Sequence, residues 1–348
     1  MVSLQDETVV PFALVLPDGR RVVAELDDES ARVIVEGGGT LTLARSEPHI
    51  LRAVDGFEVA MPVEALLPLL AHLFARRPKI EVAQLTLPAS EDWVREAIRG
   101  GIVQLAELGE GGLRLTAHRG AFWQHPGLWL KGRASGQTPL AYAMSGDKRH
   151  PKRPPKPVGE VYRRHMPRFK ADFSIRAIDI EGDLATFNHW MNLDSVAEFW
   201  NERGDLDQHR AYLKTVEADP HMISFVGCFD DAPFAYFEMY WAKEDRVSPF
   251  FDVQDYDRGL HLLVGDSRHQ GPGKVEAWFR AVLHYMFLDD PRTQRVIGDP
   301  RIDHVRWIEY MQKQGFVRLK EFDLPHKRSE LIFIERETFF GPPHSGPA

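Results

Sequence analysis

Residues 264–278 read VGDSRHQGPGKVEAW, between a strand-like run and a helix-like run. Arg268, Gly271, Gly273 and Lys274 are of the types that would hold a phosphate. A helix start has N–H groups without intrahelical partners and carries the positive end of the helix dipole. Glycines there remove side chains that would hold an anion away, and the two cations add charge. The stretch therefore predicts a pyrophosphate cradle. The competing reading is a tight turn that needs glycine conformations. Other side chains are ambiguous by themselves. His261 alternates with leucines in GLHLLV, as a satisfied strand residue would. Glu238, a lone acid in FAYFEMYW, either binds a substrate ammonium or faces solvent between aromatics. Trp190, Asn192 and Trp241 can wall a pocket or fill a core.

The elements that must position these residues fall into two halves. In the first, LPDGRRVVAEL reads as a hairpin around Pro17, Asp18 and Gly19. Residues 62–76 have helical spacing, 79–88 are strand-like, and 90–101 open on a capping Ser and close on two glycines. This half, 1–147, predicts a smaller α+β domain without evident chemistry. Residues 148–170 hold nine Lys/Arg against one acid, Glu160, with interleaved prolines. They read as a solvated linker, or as a basic strap near a phosphate or an acidic partner. The second half, 171–348, alternates types: strand 172–180, helices 183–204 and 207–219, two strands within 222–241, strand 258–266, helix 274–289, strand 293–300, helix 304–315 and two last strands. That order predicts an α/β fold with a mixed, partly parallel sheet and flanking helices.

Composition excludes several classes. The 348 residues are 43% hydrophobic, enough for a sizeable core, and the net charge of −8 argues against a nucleic-acid partner. No apolar run has membrane-spanning length and no signal-like segment opens the chain, so a cytoplasmic protein without a membrane partner is expected. The single cysteine, Cys228, lies in strand-like MISFVGCFDD and reads as a buried thiol. It rules out an internal disulfide, and no His-x-x-x-His with a glutamate occurs, so no metal is expected. Composition sets no oligomeric state.

The spacing Arg268-x-x-Gly271-x-Gly273 resembles the R/Q-x-x-G-x-G/A pyrophosphate signature of the GNAT N-acyltransferases, which bind acyl-coenzyme A. The similarity spans roughly residues 172–337, with Gly315-Phe316 in the place of that family's closing Gly-Phe. HWMNLDSVAEFW, YFEMYWAKEDRV, DYDRGLHLLVGD and DPRIDHVRWIEYMQKQGF resemble, more narrowly, the acyltransferases that acylate N-hydroxylysine or N-hydroxyornithine during hydroxamate siderophore biosynthesis. The resemblance implies acetyl-CoA, or another short acyl-CoA, as donor and a small N-hydroxylated amino acid or amine as acceptor. It implies that His261 contacts or deprotonates the hydroxylamine, that Asp299 orients it or shares the proton, and that a backbone N–H near Val264 holds the thioester oxygen. Glu238, Trp241, Trp190 and Asn192 become candidate acceptor contacts. Two positions depart from the pattern: His304 stands where an Asn is usual, and Met311 where a thiolate-protonating tyrosine is usual, with Tyr310 one residue earlier. Acetylation of an ordinary amine such as an aminoglycoside, or coenzyme A binding without chemistry, are the alternatives.

Overall fold

The computed structural model describes residues 12–16, 19–55, 61–77, 79–132, 135–271 and 273–341. They form two compact units, 1–128 and 129–348. In the first, alternating apolar and polar residues give strands β1 (Phe12–Val15), β2 (Arg21–Leu26), β3 (Ser30–Val35), β4 (Thr40–Glu47) and β5 (Ile50–Asp55). Helix α1 (Leu66–Arg76) crosses over to β6 (Val82–Leu87), and α2 (Glu91–Arg99), β7 (Leu105–Gly109), β8 (Gly112–His118) and α3 (Arg119–Phe122) follow. Ser90 caps α2 through the Trp93 N–H, as its sequence predicts. Of the hairpin expected around residues 17–19, Pro17 and Asp18 lie outside the described residues.

The second unit contains β9 (Tyr142–Ser145), β10 (Lys148–Pro151), β11 (Glu160–Met166), β12 (Ala171–Ala177), α4 (Ile180–Met191), α5 (Asp194–Trp200), α6 (Leu206–Ala218), β13 (Met222–Phe229) and β14 (Ala232–Trp241). It continues with β15 (Arg258–Val264), α7 (Lys274–Asp289), β16 (Arg295–Gly298), α8 (Val305–Lys313), β17 (Val317–Leu324), β18 (Lys327–Glu335) and α9 (Arg336–Phe340). Its main sheet has the order β11-β12-β13-β14-β15-β16-β18-β17. Every neighbouring pair is antiparallel except β15 and β16. The first unit's sheet has the corresponding order, β1-β2-β3-β4-β5-β6-β8-β7, and its parallel pair is likewise the fifth and sixth strands.

Two expectations change. The helix read over 183–204 is two helices, because Asn192 ends α4 and ties itself to the 201–205 loop through Gly204. The segment 148–170 is not a free linker. It supplies β10 and β11, and the boundary between units falls earlier, at 128/129. Its cations bind the second unit itself. Arg153 forms a bidentate pair with Glu244 at 2.6 Å on both arms, Lys156 donates to the Val216 and Glu217 carbonyls, and Arg163 pairs with Glu160 and Asp231. The strap reading thus fits better than the linker reading, with the chain's own acids as partners.

Candidate active site

Strand register assembles the site. The antiparallel pairing of β14 and β15 sets Glu238 opposite His261. β15 and β16 pair in parallel only at Arg258–Val296 and Gly259–Ile297, then diverge. Two residues beyond that last pair stand His261 on β15 and Asp299 just past the end of β16. The imidazole lies between the two acids, with Nδ1 3.2 Å from Glu238 Oε2 and Nε2 3.3 Å from Asp299 Oδ1. The histidine side chain is 18% exposed, against 3% for Glu238 and 1% for Asp299. The histidine is therefore the group an acceptor in the cleft can touch, and the carboxylates stand behind it.

Each carboxylate has its own supports. Tyr212 and Tyr236 donate to Glu238 Oε1 at 2.5 and 3.0 Å. Tyr212 is carried by α6, which a capping box between Asp205 and Gln208 starts. Lys327 Nζ donates to the Asp299 carbonyl at 2.7 Å and lies 2.9 Å from its Oδ2. Burial works against a charged imidazole, yet Asp299 and then Glu238 outweigh it and hold the His261 pKa up at about 9. Burial likewise opposes the Asp299 charge, and His261 and Lys327 overcome it, holding that carboxyl well below its usual range. Both carboxylates thus favour an imidazolium at the center of the site.

Beyond Gly259, β15 has an edge without a strand. Trp200 Nε1 donates to the Leu262 carbonyl at 3.3 Å and Gln270 Nε2 to the Val264 carbonyl at 3.2 Å. Alternate residues direct their backbone polar groups to the same side, so the Leu262 and Val264 N–H groups share this open edge. The cleft along it has a volume of about 1900 Å³ and is lined by His261, Val264, Asp299 and Gly273 among others.

At the far end of β15 the chain enters the glycine loop. Gly273 is the N-cap of α7 with φ +79° and no capping side chain. A side chain there would be strained, and its Cβ would fall 3.0 Å from Arg168 Nη1. Gly271 faces open space. Lys274 opens the helix. Arg268 is 82% exposed and lies on Asp266, with contacts of 2.6–3.0 Å. The loop thus combines a glycine cap, the Lys274 ammonium and Arg168, a cation from the basic strap. Sequence reading missed Arg168, Tyr212 and Lys327. They come from distant elements, and only the strand pairing brings them here.

The other acceptor candidates sit elsewhere. Trp190 is in the core and presses on the start of the loop, where a Cβ on Gly265 would fall 2.1 Å from its ring. Asn192 hydrogen-bonds Asn188 and Gly204. Trp241 is 2% exposed and stacked by Arg153 and Arg258. Those three are not among the residues that line the His261 cleft, and Glu238 is engaged with its tyrosines and His261. Met311 reaches the end of β16, its Cε 3.0 Å from where a Gly298 Cβ would stand. Tyr310 is turned by the helical step of about 100°, beside Phe279 and Trp307. His304 stacks on Phe199 with ring centroids 3.9 Å apart. Among the described residues no group of three metal-ligating side chains occurs, and no helix is long and apolar enough to cross a membrane.

A parallel strand pair that diverges beside an unpaired strand edge, followed by a glycine-capped helix, defines a GNAT fold. Residues 179–324 match the acetyltransferase (GNAT) domain family. A protein named as a lysine N-acyltransferase from Schizosaccharomyces pombe is 42% identical over 246 residues, 70% of this chain and 73% of the relative. The N(6)-hydroxylysine O-acetyltransferase of Escherichia coli is 43% identical over 226 residues, 64% of this chain and 71% of the relative. An N(5)-hydroxyornithine:cis-anhydromevalonyl coenzyme A-N(5)-transacylase of Beauveria bassiana is 46% identical over 195 residues, of which this chain spans 43% of the relative's length. An uncharacterized Bacillus halodurans protein of known structure is 26% identical with a TM-score of 0.50, covering 52% of this chain and 93% of that one. The chain belongs to the GNAT acetyltransferase family.

Proposed function

We propose that the protein transfers an acetyl or other short acyl group from acyl-CoA to the hydroxylamine nitrogen of N-hydroxylysine or N-hydroxyornithine, forming a hydroxamate for siderophore biosynthesis. The observation that carries this is the seat of His261 between Glu238 and Asp299, 3.2 and 3.3 Å from its two ring nitrogens, which favours the charged imidazole. An alkylamine arrives as an ammonium and needs a base before it can attack. An imidazolium with a pKa of about 9 cannot be that base at neutral pH. An N-hydroxylated amine is far less basic and arrives neutral, so it needs no prior deprotonation. The names of the relatives support the same acceptor class.

The residues then take these roles. The α7 cap, Lys274 and Arg168 hold the donor's phosphates. The Val264 N–H receives the developing oxyanion. The neutral nitrogen attacks the thioester carbon, and the bond to sulfur breaks as His261 gives its proton to the departing thiolate. The acylated nitrogen, still carrying its extra proton, is strongly acidic and returns a proton to His261. One proton has moved from nitrogen to sulfur, and the imidazolium is restored. His261 thus serves first as acid, filling the place left by Met311. This revises its expected role as base. Asp299 and Glu238 fix its charge and orientation. The first unit has no part in the chemistry. An acyl-CoA donor and a single cysteine accord with a cytoplasmic location.

The test is thiol release from acetyl-CoA across N6-hydroxylysine, N5-hydroxyornithine, lysine and an aminoglycoside, with ferric iron added to the product. Turnover of the hydroxylated acceptors with the color of a ferric hydroxamate supports the reading. Turnover of plain amines alone, a product that does not color with iron, or no turnover at all, contradicts it.

A further inference from the structure

The cleft has a second end. β15 runs from Arg258 to Val264, with the donor loop after Val264 and the 242–257 connection before Arg258. A donor held at the loop and reacting at His261 leaves the rest of an acceptor pointing the other way, toward that connection. Three residues of strand span about 10 Å, so the two ends are well separated.

Arg246 stands at this second end, on the cleft wall and exposed. The other cationic side chains nearby are committed. Arg301 binds Asp303, Arg328 binds Glu321 and Asp323, and Lys327 holds Asp299. Arg258, beneath the cleft, is buried on Asp289 at 2.8 Å. Arg246 has no carboxylate partner among the described residues. The turn that carries it is fixed: Asp245 accepts from the Val247 N–H at 3.0 Å, lies 3.2 Å from His221 Nε2, and its carbonyl takes the Lys148 ammonium at 2.6 Å. Burial raises the Tyr212 and Tyr240 hydroxyl pKa and lowers that of His326, and the guanidinium is close enough to act on all three, which surround the reactive end. An unpaired guanidinium carried on a fixed turn at a cleft wall is a site for a planar anion, and carboxylate is the best match.

Resting on the acyl-transfer reading above, we propose that Arg246 binds the α-carboxylate of the acceptor, so that the enzyme selects an N-hydroxylated amino acid over the corresponding N-hydroxylated diamine. The reactive nitrogen lies at His261 and the carboxylate at the opposite end. A diamine of the same length would leave the guanidinium without a partner.

The experiment compares N6-hydroxylysine with N-hydroxycadaverine, which differs by loss of the carboxylate, using acetyl-CoA and the full chain. Wild type, Arg246→Gln and Arg246→Lys are measured. The expected result is an N6-hydroxylysine KM raised about 10- to 100-fold in Arg246→Gln with kcat nearly unchanged, as loss of a charged hydrogen bond gives. N-hydroxycadaverine should be unaffected by the substitution, and Arg246→Lys should recover part of the loss. Equal effects on both acceptors, or no effect on either, would overturn the assignment while leaving the reaction intact. Turnover by wild type of neither acceptor, nor of N5-hydroxyornithine, would overturn the reaction and this assignment together.

Discussion

The two units share one strand order and one parallel pair, yet among the described residues only the second brings a histidine and two carboxylates together where that pair diverges. In the second, the positions two beyond the last parallel pair hold His261 and Asp299. In the first, where the last pair is Arg52–Thr86, the same positions hold Val54, 61% exposed, and Pro88. Glu238 faces His261 directly, whereas the β4 register shifts at the matching place, between Leu43–Ala53 and Thr42–Asp55. The second unit inserts α4, α5 and α6 between its second and third main-sheet strands, and these bring Trp200 and Tyr212 over the site. The first joins β2 to β3 by a short turn through Asp27 and Ser30. Its crossover helix starts on the buried apolar residues Val63, Ala65 and Leu66, where α7 starts on a glycine and a lysine. Topology provides a diverging strand pair. Chemistry needs charged residues at the divergence, helices to cover them and an anion-ready helix start.

That contrast can be broken in order of effect. His261→Gln should lower kcat by about 10²–10⁴-fold with donor affinity kept, since the acid is lost and the loop is untouched. Steady-state kinetics and calorimetry with coenzyme A check it, and a change within about threefold would return His261 to a structural role. Gly273→Val forces a branched residue into φ +79° against Arg168, at a strain of about 1–3 kcal/mol. It should weaken coenzyme A binding about tenfold or more while thermal melting shows a folded protein, because the cap and its N–H groups move. Tyr310→Phe should leave kcat within about threefold, as Met311 and not Tyr310 reaches the end of β16. A larger loss would make Tyr310 the acid. Val54→Ala, the counterpart of the first change, should alter neither kcat nor either KM. A kinetic effect there would give the first unit a part in the chemistry.

Much of the second unit was legible because its elements are strongly periodic and capped. The strand–loop–helix around Gly273 declared itself through glycines beside cations, and Gly315 closed α8 as expected. The basic strap misled because charge and proline density look the same in a linker and in a segment held by buried ion pairs such as Arg153–Glu244. Trp190 and Trp241 share a stretch with site residues but are buried, and Asn192 turns to Asn188 and Gly204, differences of side-chain direction that spacing alone does not encode. The charge of His261 was hidden for another reason. It depends on two acids 23 residues before and 38 residues after it, brought close by pairing. The same pairing couples stability to pH. Because the folded pKa lies above the ordinary 6.5, the imidazolium's contribution is complete below pH 6.5 and is lost as pH rises through about 9.

The central claim, that a protonated His261 held by two carboxylates does the chemistry, is tested most directly by kcat against pH at saturating acetyl-CoA and N6-hydroxylysine, for wild type and Asp299→Asn. The wild type should hold a plateau through neutral pH and fall on an alkaline limb near 9. In Asp299→Asn, with one carboxylate gone, that limb should move down toward 6.5. A wild-type rate that climbs with pH from 6 to 9, or an alkaline limb that stays in place in Asp299→Asn, would contradict the account.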